Sequence, residues 1–295
     1  MESIYNSIFK DVNVGKKLEQ SGWALLDFCN QETIEVLEKK FTELLPLFNE
    51  MPLIITLLHQ HRTVTQQVHN TILSELRADF NRHFRSYKVP IAHFFVKTKN
   101  SPHIGLHQDP MITDQAIQPS YGLWIPLIDT DENNGALAVL DGSHRWFHPF
   151  QADTVPMSIG EIWKRLIPEC TILSLKKGQA VLMDNRLVHY SYPVLTNEIR
   201  PAAVIKLTHI DNTYYTLYQN NESISLIKNN ENFYLNESWV CDKTKFPPGE
   251  IVGILDFEPR AISYEEYQTI KSANIRSSFQ TKTIFDFLKS GQPNR

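Results

Sequence analysis

Residues 121–143 read YGLWIPLIDTDENNGALAVLDGS. Two short runs inside that stretch, 121–129 and 135–140, mix aliphatic, aromatic and β-branched residues, and Asn133-Asn134-Gly135 between them carries the turn chemistry of a hairpin. The same grammar recurs on either side: VPIAHFFVKTK at 89–99, TILSL at 171–175, QAVLMD at 179–184, LVHYSYPVL at 187–195 and RPAAVIKLTHI at 200–210. Asp141-Gly142-Ser143 and Lys177-Gly178 add further hairpin or bulge signals. No helix-length crossover regularly separates the runs, so the strands are expected to pair antiparallel. The fold expected is therefore mainly β with flanking helices, a jelly roll or double-stranded β-helix that closes two sheets over one interior.

Upstream, the apolar segment Trp23 to Phe28 predicts a strand. Asn30 then offers an N-cap to a helix carrying Ile34, Leu37, Phe41, Leu44 and Leu45. A second helix is predicted through Val64, Val68, Ile72, Leu76 and Phe80, starting near Thr63 or Thr65 and ending before Val89-Pro90. Both are expected to pack outside a sheet. Downstream, residues 211–295 are more polar, with an Asn-rich stretch at 220–236, a Pro247-Pro248-Gly249 turn and a last helix near Ile284 to Leu288. The organisation expected is a single domain with a helical lead-in at 1–88, a jelly-roll core at 89–210 and a carboxy-terminal cover or dimer segment at 211–295. Tyr214, Tyr215, Phe233 and Trp239 are the expected packing anchors of that segment, which has too little regular pattern for a core of its own.

Composition narrows the partners. With 295 residues, 42% of them hydrophobic and 11% aromatic, the chain has the apolar surface for one elaborated globular domain. The net charge of −4 and the lack of a basic run argue against nucleic acid. No apolar stretch approaches the ~20 residues that span a bilayer, and Glu2, Lys10 and Asp11 interrupt the amino-terminal MESIYNSIFKDVNV. No membrane partner and no signal peptide are expected, and the cytoplasm is the expected compartment. Cys29, Cys170 and Cys241 are odd in number and form no CxxC, against a disulfide framework or a cysteine metal site.

In an extended segment alternate side chains share a face, so His107 and Asp109 in GLHQDP can approach one metal while Gln108 points away. His209 and Asp211 repeat that spacing. Residues further along the chain select the first pair: His189 lies in a later strand and Arg200 opens the next, whereas nothing comparable comes after Asp211. Two imidazoles and a carboxylate make the facial triad of non-haem Fe(II) oxygenases, which leaves coordination positions for exogenous ligands. An arginine near the second histidine suits the distal carboxylate of 2-oxoglutarate, because its planar fork is always charged.

At these residues the chain resembles the phytanoyl-CoA dioxygenase family of Fe(II)/2-oxoglutarate oxygenases. The likeness runs from the KTKNSP turn through His107-Gln108-Asp109, LWIPLIDTDENNGALAVLDGSH and KKGQAVLMDNRLVHYS to Arg200, and covers roughly residues 20 to 210. It implies iron ligands His107, Asp109 and His189, and 2-oxoglutarate contacts at Arg200, Ser191, Trp124 and His93. It also implies the jelly roll reached above from the strand runs. Asp141 stands where the family usually has proline, the signature of ectoine hydroxylases is absent, and no residues fix an acyl-CoA substrate.

The activity implied uses Fe(II), O2 and 2-oxoglutarate to hydroxylate an unactivated C–H bond of a small organic molecule, an amino acid, specialised metabolite or acyl group, with release of succinate and CO2. Halogenation is not expected, since Asp109 supplies the carboxylate whose place a halide needs. Desaturation or ring formation by the same family, a non-enzymatic jelly-roll binding protein and a zinc hydrolase are the alternatives.

Each residue also has a plainer reading. Trp124 alone reads as core, Arg200 alone as one half of a structural ion pair, and His93, which shares a strand face with Phe95 and Lys97, as a satisfied core histidine. His144 and His148 are four apart but come after a turn, and Ser143 and His144 are expected to hold that turn by local hydrogen bonds. His59, His61 and His69 lie in a polar stretch and read as solvated. Lys97, Arg145, Arg186 and Lys206 are unranked candidates for a substrate anchor.

Overall fold

The computed structural model describes residues 8–48, 52–220, 223–273 and 282–289. The amino-terminal reading over residues 1–7 lies outside them. A helix that the sequence pattern did not signal, α1 (Val12–Ser21), starts at Asp11, whose side chain accepts from the Asn13 N–H. It stops at Gly22, whose φ of +82° suits glycine and whose added Cβ would meet His144 Nδ1 at 2.5 Å. Strand β1 (Trp23–Asp27) comes next. Then α2 (Gln31–Leu44) is capped by Asn30, which accepts from the Thr33 N–H, and buries Ile34, Leu37, Phe41 and Leu44.

After the short β2 (Leu53–Ile55), the single helix expected through Val64 and Phe80 is two, α3 (Arg62–Glu75) and α4 (Arg77–His83). Leu76 between them sits at φ −90°, ψ +4°, outside the helical range. Phe80 on the second piece meets Phe28 edge-on at 5.7 Å and stacks on Tyr87 at 5.6 Å. Packing against that aromatic group, rather than a Gly or Pro, accounts for the break. The start also differs, because His61 precedes the first helical residue and makes no side-chain cap.

The strand runs form β3 (Tyr87–Lys97), β4 (Ile104–His107), β5 (Ser120–Pro126), β6 (Leu137–Val139), β7 (Thr171–Leu173), β8 (Gln179–Asp184), β9 (His189–Ser191) and β10 (Arg200–His209). They build a six-stranded sheet in the order β1-β8-β5-β10-β3-β2 and a four-stranded sheet in the order β4-β9-β6-β7, antiparallel at every pairing. This is the jelly roll expected from the strand runs.

Period-two alternation sorts the larger sheet. Phe94, Val96, Leu123, Leu182, Ile205 and Leu207 face outward into one cluster with α2, α3 and α4. Ile91, His93, Trp124, Met183, Val204 and Lys206 face the interior. Cys29, Cys170 and Cys241 are free thiols, and no helix among the described residues is long and apolar enough to cross a membrane.

The carboxy-terminal segment is more regular than its composition suggested. β11 (Tyr214–Gln219), β12 (Ile224–Asn229) and β13 (Glu250–Leu255) make a three-stranded antiparallel sheet. Tyr215, Leu217, Ile224, Leu226 and Leu255 pack with Met111, Phe150 and Val155 from the preceding residues. The strands are short and their polar members find partners, as where Asn229 Nδ2 donates to Thr216 Oγ1 at 2.6 Å, so polarity concealed the alternation. Three further short helices lie among the described residues, α5 (Trp163–Leu166), α6 (Phe233–Asn236) and α7 (Tyr264–Ser272), the last opened by a Ser263/Glu266 capping box. The helix expected near Ile284 is a 3-10 turn over Ile284–Phe287.

Candidate active site

β4 and β9 are adjacent antiparallel strands, and their register sets His107 opposite His189 with ring centroids 4.4 Å apart. Each imidazole is fixed in the same way. His107 Nδ1 lies 2.8 Å from the Gly105 carbonyl oxygen and His189 Nδ1 lies 2.9 Å from that of Leu187. A carbonyl only accepts, so both Nδ1 atoms carry the proton and both Nε2 lone pairs are left for a ligand. Asp109 lies just past β4, with its N–H donating to the Asn185 carbonyl at 3.1 Å. The ligand atoms of His107, Asp109 and His189 all lie within 4.8 Å of one another, the one such group of three among the described residues.

Electrostatics hold His189 and Asp109 in ligating form. Burial pushes His189 down to about 4, aided by the charge of His107, so it is neutral at pH 7. Burial would raise the Asp109 carboxyl, but Lys206, then His189 and His107, outweigh it and hold it well below the usual carboxylate range. Lys206 Nζ donates to Asp109 Oδ2 and also to Asn185 Oδ1 at 2.9 Å. Gly122 makes room for that contact, since a Cβ there would stand 3.3 Å from Lys206 Nζ and 3.6 Å from Asp109 Oδ2.

Arg200 opens β10, opposite Lys97 of β3, and is fully buried. Its Nη1 donates to the Phe95 carbonyl at 3.3 Å, while Nε and Nη2 have no partner. The guanidinium carbon lies 5.5 Å from the Trp124 ring and 5.8 Å from that of Phe95. Burial pulls its pKa down, a cost that an incoming carboxylate reverses. Ser191 Oγ is likewise buried without a partner. His93 is buried, pushed down to about 4 by desolvation, with Nδ1 3.3 Å from the Phe94 carbonyl. Triad, Arg200, Ser191, Trp124 and His93 all line one cavity of about 290 Å3. Two imidazoles, an ionised carboxylate and an orphaned guanidinium in one cavity are the donor set that iron and a dicarboxylate require.

The remaining candidates fall elsewhere. Arg186 forms a bidentate pair with Asp184 at 2.7 and 2.9 Å in the β8–β9 turn. Lys97 Nζ donates to the Tyr192 carbonyl at 2.6 Å, and burial, then the Arg200 charge, bring it down to about 7. Arg145 is not part of the cavity wall. Ser143 holds the turn through its backbone, donating to the Leu140 carbonyl at 3.1 Å and accepting from the Trp146 N–H at 3.0 Å, while the side chains reach further: Ser143 Oγ accepts from the Val188 N–H at 2.9 Å, and His144 Nε2 lies 3.3 Å from the Glu19 carbonyl. His148 packs edge-on against Phe257 at 4.8 Å. His209 meets Asp211 at 3.5 Å with the carboxylate exposed to solvent.

His69 is not solvated but buried, accepting the Ala92 N–H at Nδ1, 3.0 Å away. Lys206 was the residue undervalued by sequence, although β10 alternation places it on the face of Arg200 and Val204. The cavity wall also includes Leu217, Tyr234, Trp239 and Lys243, for which the sequence held no motif.

Residues 33–202 match the family described as Phytanoyl-CoA dioxygenase (PhyH), and the chain belongs to that family. Iron and 2-oxoglutarate are the cofactor and co-substrate of this oxygenase family. A curated relative, the phytanoyl-CoA dioxygenase domain-containing protein 1 homolog of Dictyostelium discoideum, is 25% identical over 146 residues, 47% of this chain and 51% of that protein. The match thus spans about half the length of that relative.

Among solved structures, the epimerase SnoN in complex with Fe3+, alpha ketoglutarate and nogalamycin RO has a TM-score of 0.54 at 12% identity, covering 85% of this chain and 95% of its own. The non-heme alpha ketoglutarate dependent carbocyclase SnoK from nogalamycin biosynthesis gives 0.51 at 15%, covering 69% and 86%. HygX from Streptomyces hygroscopicus, with nickel and 2-oxoglutarate bound, gives 0.50 at 11%, covering 67% and 86%. At these identities the likeness is one of fold.

Proposed function

We propose that the protein is an Fe(II)- and 2-oxoglutarate-dependent dioxygenase that hydroxylates an unactivated C–H bond of a small organic molecule, releasing succinate and CO2. The observation that carries this reading is the buried Arg200 guanidinium, with two nitrogens unpartnered, in the same cavity as His107, Asp109 and His189. Iron, when bound, supplies the oxidising chemistry with 2-oxoglutarate as co-substrate. His107 and His189 offer Nε2 to the metal, and Asp109 offers a carboxylate oxygen while Lys206 holds Oδ2. Arg200 grips the distal carboxylate of 2-oxoglutarate, and the Ser191 hydroxyl is available to the same anion. Trp124 and Phe95 wall the guanidinium off from water, which strengthens that pair. His93, neutral at pH 7, gives the wall a polar edge without charge.

A zinc hydrolase would leave Arg200 without a role, and a binding protein would not need three ligating groups pre-set for a metal. Asp109 retains the carboxylate that argues against halogenation. The experiment is anaerobic titration of Fe(II) and 2-oxoglutarate, expected to give the visible charge-transfer band of a chelated keto acid. No band at saturating ligand, or turnover with Zn(II) in place of Fe(II), overturns the reading. Once a substrate is in hand, labelled O2 separates the outcomes. Label in the product is hydroxylation; loss of two hydrogens without label, or an isomerised product, assigns desaturation, cyclisation or epimerisation instead.

A further inference from the structure

We infer that the part of the substrate seated beside the metal is neutral and largely apolar, and that the carboxy-terminal segment recognises it. Tyr234 and Trp239 act there with Leu57 and Leu58 across the cavity. The inference rests on the metal-site reading above. The match to the family stops at residue 202, yet the cavity wall continues beyond it, through Leu217 of β11, Tyr234 of α6, and then Trp239, Val240 and Lys243. Beyond residue 202 the wall is mainly aromatic and aliphatic, with Lys206, Thr216 and Lys243 as its polar members.

Charge decides the class. Three cations line the cavity among the described residues, and each is committed. Arg200 is assigned to 2-oxoglutarate, Lys206 donates to Asp109, and Lys243 is paired with Asp153 at the half-exposed rim. The two lining carboxylates, Asp109 and Asp153, are the partners in those pairs. A substrate phosphate, carboxylate or ammonium entering this space would be desolvated against leucines and aromatic rings with no free counter-charge, which is strongly unfavourable. A neutral ring system or alkyl chain meets no such penalty and gains from burial.

The recognising groups are also held in place. Arg62, at the start of α3, donates from Nη1 to the carbonyls of Leu57 at 2.8 Å and His59 at 3.2 Å, and from Nε to that of Leu235 at 3.3 Å. A further bond reaches the Tyr234 carbonyl. One guanidinium thus fastens the Leu57–Leu58 turn and the Tyr234 segment together. Trp239 is set by its Nε1 bond to the Lys245 carbonyl at 2.7 Å and by the buried Phe233 ring 5.8 Å away.

The test compares two fluorescent probes that differ by one sulfonate, neutral N-phenyl-naphthylamine and anionic anilinonaphthalene sulfonate, on the protein loaded with Fe(II) and 2-oxoglutarate under anaerobic conditions. The neutral probe is expected to bind at least about tenfold more tightly, as an unpaired buried charge would dictate. Trp239→Ala and Leu58→Glu should each weaken it by about fivefold or more, with Trp239→Phe restoring affinity. Leu58 is 47% exposed, so its variant reads the site without disturbing the core. An anionic probe that binds as well or better, or a neutral probe unmoved by both Trp239→Ala and Leu58→Glu, overturns the inference. A missing charge-transfer band in the unmodified protein strikes the metal-site reading instead, and the same titration of the neutral probe without Fe(II) and 2-oxoglutarate reads its dependence on Trp239 and Leu58 apart from that reading.

Discussion

Two regions face the same cavity and meet different demands. In the jelly roll, every proposed metal or 2-oxoglutarate contact sits on a strand or within two residues of a strand end, so register fixes distances that chemistry needs within tenths of an ångström. Residues 211–289 contribute side chains from a strand, a one-turn helix and a loop, held by hydrogen bonds to backbone carbonyls. Reaction geometry is tied to what cannot slip without turning a whole strand over, and recognition is tied to what can vary without disturbing it.

That division can be broken by experiment, most severely at the metal. His107→Ala or His189→Ala is expected to abolish the anaerobic charge-transfer band and to reduce turnover by more than about a hundredfold, since each removes a ligand. His209→Ala should leave both intact. If His209 is needed for iron, the triad is wrongly assigned.

Next in size is Arg200→Ala. A charge-assisted pair is worth roughly 1.5 to 3 kcal/mol, so KM for 2-oxoglutarate should rise about tenfold to over a hundredfold, well beyond any change in KM for the prime substrate. An unchanged 2-oxoglutarate requirement would move the anchor to another cation. Lys206→Met removes the group that holds Asp109 Oδ2 and should weaken Fe(II) binding by about tenfold to a hundredfold, the range for partners of metal ligands. Lys206→Arg should recover part of it, and isothermal titration with Fe(II) reads both.

A smaller effect is expected on the other side of the cavity. Arg62→Ala should weaken the neutral naphthylamine probe by about twofold to fourfold, less than a directly contacting group would, because Arg62 acts only by fastening its two neighbours. The 2-oxoglutarate affinity should stay unchanged. A parallel loss of both would mean that recognition and chemistry are not separable here.

The last expectation vanishes at neutral pH. All eleven histidines precede residue 211. Of these, His69, His93, His144 and His148 are buried and pushed down to about 4 by desolvation. Their unfolded-state value is near 6.5, so between there and about 4 the unfolded chain binds protons that the folded chain refuses. Stability is full above 6.5 and falls as pH drops through that window. Hydrogen exchange at pH 5 against pH 7 should show protection lost around α3, β3 and the 144–148 loop before β11 and β12. The reverse order would place the weak point in the carboxy-terminal sheet.

Legibility in the sequence divides along the same line. The strands and the His107, Asp109, His189, Arg200 set were legible because alternation and motif spacing are local properties. His69 was misread because its neighbours Gln66, Gln67 and Asn70 are polar, while the β3 amide that it accepts from lies 23 residues away. Lys206 shows its inward face in the sequence but not the carboxylate it meets 97 residues earlier. The break at Leu76 and the Tyr234–Trp239 wall likewise depend on partners that become neighbours only in the folded chain.

One detail of the triad bears on the protein's life in a cell. Because His107 and His189 are each aimed by a carbonyl two residues back in the chain, the imidazoles keep their orientation without help from iron. Losing the ion to a chelator or to oxidation would therefore be an injury of occupancy, not of architecture, unlike small zinc domains that collapse when stripped. Such a catalyst can be idled by metal starvation and returned to service by resupply, with no new chain to synthesise.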